Sequence, residues 1–143
     1  ITNSINKPTS TFWIISIVGL LWNIMGVVAY VGQAYMTEEV KAALPEAEQA
    51  YYSNLPAWVT AAFAISVFAG FLGCIAMLLR KKLATLLLNL SLITVFIQFV
   101  YNFFLQKDME VSGANLIMPA IVIIIASFLV WYSKKSVVNG WIS

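Results

Sequence analysis

Residues 57–79 read AWVTAAFAISVFAGFLGCIAMLL and residues 83–105 read LATLLLNLSLITVFIQFVYNFFL, with only Arg80-Lys81-Lys82 between them. Neither run holds a charged side chain, and each is 23 residues long. At 1.5 Å rise per residue a helix of that length reaches about 34 Å, enough to cross a hydrocarbon core of about 30 Å. Backbone groups in lipid must bond within their own helix or around a closed barrel, and a barrel strand needs only about ten alternating residues. The two continuous runs are therefore predicted to form a transmembrane helical hairpin turned by a basic triplet.

Outward from this hairpin, the same length and apolarity recur at about 12–35 and 115–133. The expected fold is all-α: a polytopic four-transmembrane-helix bundle, one domain over residues 1–143, in direct contact with the lipid bilayer. Composition agrees, since 62% of the residues are hydrophobic and 10% charged, far from the soluble average of about half and a quarter. Gly32-Gln33-Ala34 loosely resembles a signal-peptide cleavage site, but the apolar run before it exceeds the roughly 7–15 residues of a signal core, so it reads as a helix. The chain begins at Ile1 and not at methionine, and residues are expected to precede it.

Charge orients the bundle. Lys7, Arg80, Lys81, Lys82, Lys134 and Lys135 all fall on one side, six positive charges with no negative one. The other side carries Glu38, Glu39, Lys41, Glu46 and Glu48 in the first loop and Lys107, Asp108 and Glu110 in the third, a sum of −6 + 2 = −4. Positively charged short loops stay in the cytoplasm, so both termini and the 80–82 turn are predicted to lie inside. Aromatic residues mark the same two levels: Phe12, Trp13, Trp131, Tyr132 and Trp141 inside, Tyr35, Tyr51, Tyr52 and Trp58 outside.

Between the first two spans, Met36 to Pro56 is the sizeable extramembrane piece. Thr37 suits the N-cap of a short helix starting at Glu38 and Glu39, and Pro45 suits the start of a second carrying Glu46, Glu48 and Tyr51. A short amphipathic helical cap on the outer face is expected. The third loop should turn at Ser112-Gly113, Pro119 should fall early in the last helix, and the tail from Ser136 to Ser143 should lie along the inner interface.

Polar side chains inside the membrane are costly against lipid, so they tend to face the bundle or a cavity. Asn23, Tyr30 and Gln33 share a face of the first helix, and Thr94, Gln98, Tyr101 and Asn102 share one of the third. With Ser66 of the second helix they are expected to form an outward-opening polar column, with Trp22 at mid-depth seeking an acceptor for its indole N–H. The second helix also carries Ala62, Ser66, Gly70 and Cys74 four apart with Gly73 beside them, a small-residue seam that lets another backbone approach closely. The last helix adds only Ser127 and is expected to stand outside the column. Two readings remain open: helix-packing contacts, or a small cavity for an uncharged ligand.

Other classes fall away on residue chemistry. Histidine is absent, and Cys74 is the single cysteine, so the commonest metal ligand, the usual general base and an intrachain disulfide are all missing. There is no Gly-x-Ser-x-Gly elbow, and basic residues do not interleave with aromatics on a polar face as nucleic-acid binding requires. No catalytic residue, metal site, cofactor or nucleic-acid partner is expected.

Leu21-Trp22-Asn23 with Gly26, Pro56-Ala57-Trp58, Arg80-Lys81-Lys82, Tyr101-Asn102-Phe103 and Trp131-Tyr132 together span most of the chain. In these features it resembles a group of small, poorly characterised four-helix bacterial inner-membrane proteins, some of which carry a sugar-transporter label. The resemblance implies a multi-pass protein of the bacterial inner membrane. Ion-coupled carriers usually place an ionisable group at the midplane, and none occurs here. The first expectation is a non-enzymatic accessory or assembly subunit that meets a membrane-protein partner or a second copy of itself through the 62–74 seam or the last helix. The alternative is a small facilitator or binding protein for a neutral polar solute such as a sugar.

Overall fold

The structure, a computed structural model, describes residues 7–109 and 113–143, with backbone alone at 114 and 115. Glu110 and Ser112, used above for charge and for the third turn, lie outside the described residues. Among the described residues four helices are long and apolar enough to cross a membrane. They are α1 (Ser10–Ala34), α4 (Ala57–Leu78), α5 (Leu83–Val100), which continues through a single π-helical turn at Tyr101–Leu105, and α6 (Ala114–Val138). Between α1 and α4 stand two short helices, α2 (Glu38–Ala42) and α3 (Glu46–Ser53). Thr37 caps α2 by accepting from the Val40 N–H at 3.2 Å, and Pro45 stands at the N-cap of α3, as the loop chemistry predicts.

The membrane helices pack in chain order, α1 on α4, α4 on α5 and α5 on α6. In the centre, α4 is the most deeply buried of the four, because its small-residue seam admits neighbours on two sides. A β-carbon at Gly70 would overlap the Asn23 carboxamide oxygen of α1 and come within 3.2 Å of Ser91 Oγ of α5. One at Gly73 would lie 2.9 Å from the Leu88 side chain. The seam is thus filled from within the bundle, which corrects the expectation that it receives a partner.

The first and last helices meet differently. They are not packed along their length; their contacts gather at the basic end, where Gly19 leaves room for Leu129 and Phe12 stacks near Tyr132 with ring centroids 6.5 Å apart. There Phe12, Met77, Tyr132 and Ile142 join one apolar cluster with Trp141 packed against it. Two expectations are corrected here. Phe12 (0% exposed) and Tyr132 (5%) are core residues and not interface anchors, whereas Trp13 (37%) and Trp131 (55%) do face outward. The tail does not lie along the interface: α6 runs five residues past the expected end at 133, to Val138, and the chain then turns inward to bury Ile142 (1% exposed).

Matching hydrogen bonds end α4 and α6. Gly140 (φ 74°) donates to Val137 and Trp141 to Ser136, and in the same pattern Arg80 (φ 59°) donates to Met77 and Lys81 to Ala76. The left-handed conformation costs a non-glycine residue about 1–2 kcal/mol. Arg80 holds it through two ties to the tail, its Nε donating to the Trp141 carbonyl at 2.8 Å and its own carbonyl accepting from Ser143 N, and Lys82 N adds a third by donating to the Ser143 carbonyl. Those ties close the basic end.

Candidate functional site

Because α1 and α6 meet only at the basic end, a chamber of about 380 Å³ remains between the four helices above that plug. Leu88 and Leu129 line its deep end, beside the buried packing of Asn23 against Gly70. Phe63, Val67 and Val95 supply apolar wall from α4 and α5. Met118, Pro119, Val122 and Ala126 supply wall from α6, correcting the expectation that the last helix stands apart from the polar residues.

Toward the acidic end the chamber continues into a wider vestibule of about 610 Å³ lined by Gln33, Met36, Tyr51, Tyr52, Gln106 and Met109, among others. Both spaces share Ala29, Phe63, Gln98, Asn102, Met118 and Pro119, so they form one outward-opening space. Among the described residues no charged side chain lines either part. Among the described residues no three Cys, Asp or Glu side chains come together as a metal site.

A polar ladder climbs one wall. Asn23 Nδ2 donates to the Gly19 carbonyl at 2.8 Å and reaches Cys74 Sγ at 3.5 Å. Ser91 Oγ donates to the Ser66 carbonyl at 2.7 Å, and Gln98 Nε2 donates to Ser66 Oγ at 3.0 Å. One helical turn higher, Asn102 Oδ1 accepts from the Tyr51 hydroxyl at 2.6 Å. These bonds leave capacity on two residues that line the chamber: among the described residues the Gln98 carboxamide donates through its nitrogen and makes no bond through its oxygen, while Asn102 accepts through its oxygen and makes none through its side-chain nitrogen. An acceptor and a donor thus stand one turn apart on the same wall.

Of the sequence-predicted column, Trp22, Asn23, Ser66, Gln98 and Asn102 line the chamber, and Gln33 lines the vestibule. Thr94 is buried but spends its hydroxyl on its own helix, donating to the Leu90 and Ser91 carbonyls. Tyr30 packs edge-on against Phe63 and Phe68. Tyr101 is buried against Tyr51 and Trp58. These three stand off the column. The Trp22 indole makes no hydrogen bond among the described residues, so the expected acceptor within the bundle is not found.

Several site residues escape the sequence reading. Gln106 is the fastening of the outer wall: its Nε2 donates to the Asn102 and Met109 carbonyls, and its Oε1 accepts from the Asp108 and Met109 N–H groups. Tyr51 and Tyr52 belong to the vestibule and not to a bare interface belt. Burial, then the neighbouring phenols of Tyr101 and Tyr52, push the Tyr51 hydroxyl up to about 12; burial, then Glu48, raises Tyr52. Both stay neutral donors under ordinary conditions. The methionines carry a signal that was legible in principle: of the five in the chain, Met25, Met36, Met109 and Met118 line the chamber or vestibule.

No protein-family model, curated protein or solved structure matches the chain. The site therefore has to be read from its own chemistry.

Proposed function

We propose that this chain is a non-enzymatic multi-pass protein of a bacterial inner membrane, with both termini in the cytoplasm, that binds one uncharged ligand in the chamber for storage or transfer. The observation that carries the reading is the Gln98–Asn102 pair. An unspent acceptor and donor in a largely apolar space, lined among the described residues by no charged side chain, recognise a hydroxyl or amide and give an ion no counter-charge. The wall is too apolar for a free sugar to satisfy its many hydroxyls, so the ligand has few polar groups. The all-positive basic end supports the orientation, because short positive loops are retained in the cytoplasm.

An assembly subunit docking through the α4 seam loses its surface, since Asn23, Leu88 and Ser91 occupy it. The outward face of α6 offers only the apolar surface that lipid contact also requires, and no observation favours a partner there.

Thermal unfolding of the purified protein against a panel of hexoses, glycerol, long-chain alcohols and monoacylglycerols tests the binding role. A ligand specific for the folded state raises the midpoint with its concentration. At least one compound should do so in the wild type and lose its effect in Asn102→Leu. No shift from any compound would overturn the reading.

A further inference from the structure

The ligand's route is written in which chamber residues are exposed. Met25 of α1 (65% exposed) and Met118 of α6 (59%) both line the chamber and yet are both largely exposed. Met25 lies nine residues inside the acidic end of α1, which at 1.5 Å per residue is about 13 Å along the helix. That depth is within the hydrocarbon, so the gap between α1 and α6 opens sideways into lipid and not only upward into water.

We infer that the chamber takes an uncharged single-chain amphiphile of the bilayer, of the monoacylglycerol or long-chain alcohol class, which slides in between α1 and α6 with its hydroxylated head toward the acidic end. The inference rests on the proposed binding role and adds the ligand class and its route. Three observations carry it. An apolar opening at hydrocarbon depth is filled by chains and not by water, because water there would lose its hydrogen bonds. The flexible thioethers of Met25 and Met118 at the portal form a wall that adapts to a mobile chain. The polar groups deep in the chamber are bonded within the bundle, Asn23 to Gly19 and Ser91 to Ser66, whereas Gln33, Asn102, Gln106 and Tyr51 gather at the upper end; among the described residues no charged side chain lines the space, which suits a neutral hydroxylated head and leaves a phosphate without a counter-charge. At about 380 Å³ the chamber is near the lower limit of small-molecule sites, the size for one chain and not a pair.

The test uses the full chain in phosphatidylcholine vesicles with a dibrominated monoacylglycerol, reading the fluorescence attributable to Trp22 as the difference between wild type and Trp22→Phe. Saturable loss of that fluorescence is expected, at mole fractions where dibrominated phosphatidylcholine leaves it unchanged. Val122→Phe, which fills the gap from α6, should abolish the selectivity. A diazirine-bearing monoacylglycerol should label wild-type peptides containing Met25 and Met118, and unlabelled monoacylglycerol should compete, a readout that needs no variant. Equal quenching by both brominated lipids together with no competed labelling overturns the inference. If a water-soluble solute from the thermal panel binds while the monoacylglycerol does not, the lipid class and lateral route fail and the chamber's binding role stands. If nothing binds, both fail.

Discussion

The Tyr51 hydroxyl donates to Asn102 Oδ1 at 2.6 Å, joining the extramembrane helix α3 to the π-helical turn that ends α5. This bond closes the roof of the vestibule and also orients the Asn102 carboxamide, leaving its nitrogen for the chamber. Removing the hydroxyl in Tyr51→Phe should cost about 1 kcal/mol of stability, the net worth of one such bond. Amide hydrogen exchange in α3 should accelerate, with little change in α1 or α4. Unchanged exchange in α3 would show that the bond does not hold the cap.

The same phenol makes a pH prediction with a definite sign. Its folded-state pKa is raised from 10.0 to about 12, so the neutral form is favoured by folding. The associated stability is fully present below 10.0 and is lost as the pH rises from there toward 12. Tyr52, raised by burial and Glu48, acts in the same direction. The unfolding midpoint of the wild type should fall over that alkaline window more steeply than that of Tyr51→Phe. Parallel curves would contradict the assignment.

Gly70 and Gly32 form a matched pair of glycines on membrane helices. Alanine at 70 would displace the Asn23 carboxamide from the Gly19 carbonyl and Cys74, and overpacking of this kind costs about 1–3 kcal/mol. At Gly32 nothing lies within 4 Å of the added carbon, so alanine there should leave stability within about 1 kcal/mol. Denaturation of the two variants in the same detergent decides the comparison, and equal losses would mean that the α1–α4 seam is not closed as described.

At the basic end, Ile142 is a keystone of the plug beneath the chamber. Ile142→Ala should cost about 2–5 kcal/mol, as for other fully buried aliphatic residues cut to alanine. It should also loosen the ties between Arg80 and the tail, read as increased protease cleavage after Arg80-Lys81-Lys82. A surface-like loss of a few tenths of a kcal/mol would place the tail at the interface instead.

Length and charge made the four helices legible, because crossing a bilayer demands long uncharged runs and little else satisfies it. Thr37 and Pro45 likewise announced α2 and α3 through capping chemistry. The tertiary contacts were less legible for physical reasons. Phe12 and Tyr132 stand where interface anchors stand, and burial inside the plug satisfies their rings as well as the headgroup region does. In lipid a chamber wall and a lipid-facing surface are equally apolar, so nothing in the residues of α6 distinguished Val122 and Ala126 from Ile121 and Ile124. Helical spacing put Thr94 on the polar face, but a hydroxyl can bond its own helix and need not join a column. Asn23, Gln98 and Asn102 were legible because a carboxamide has more bonding capacity than its own helix can absorb.

Native mass spectrometry of the protein extracted from its own membrane tests the chamber most directly. Wild type should carry a neutral adduct that leaves without charge on activation, and the double variant Gln98→Leu, Asn102→Leu should carry none while remaining folded. A wild type free of any adduct, or the same adduct held equally by the variant, would contradict the account.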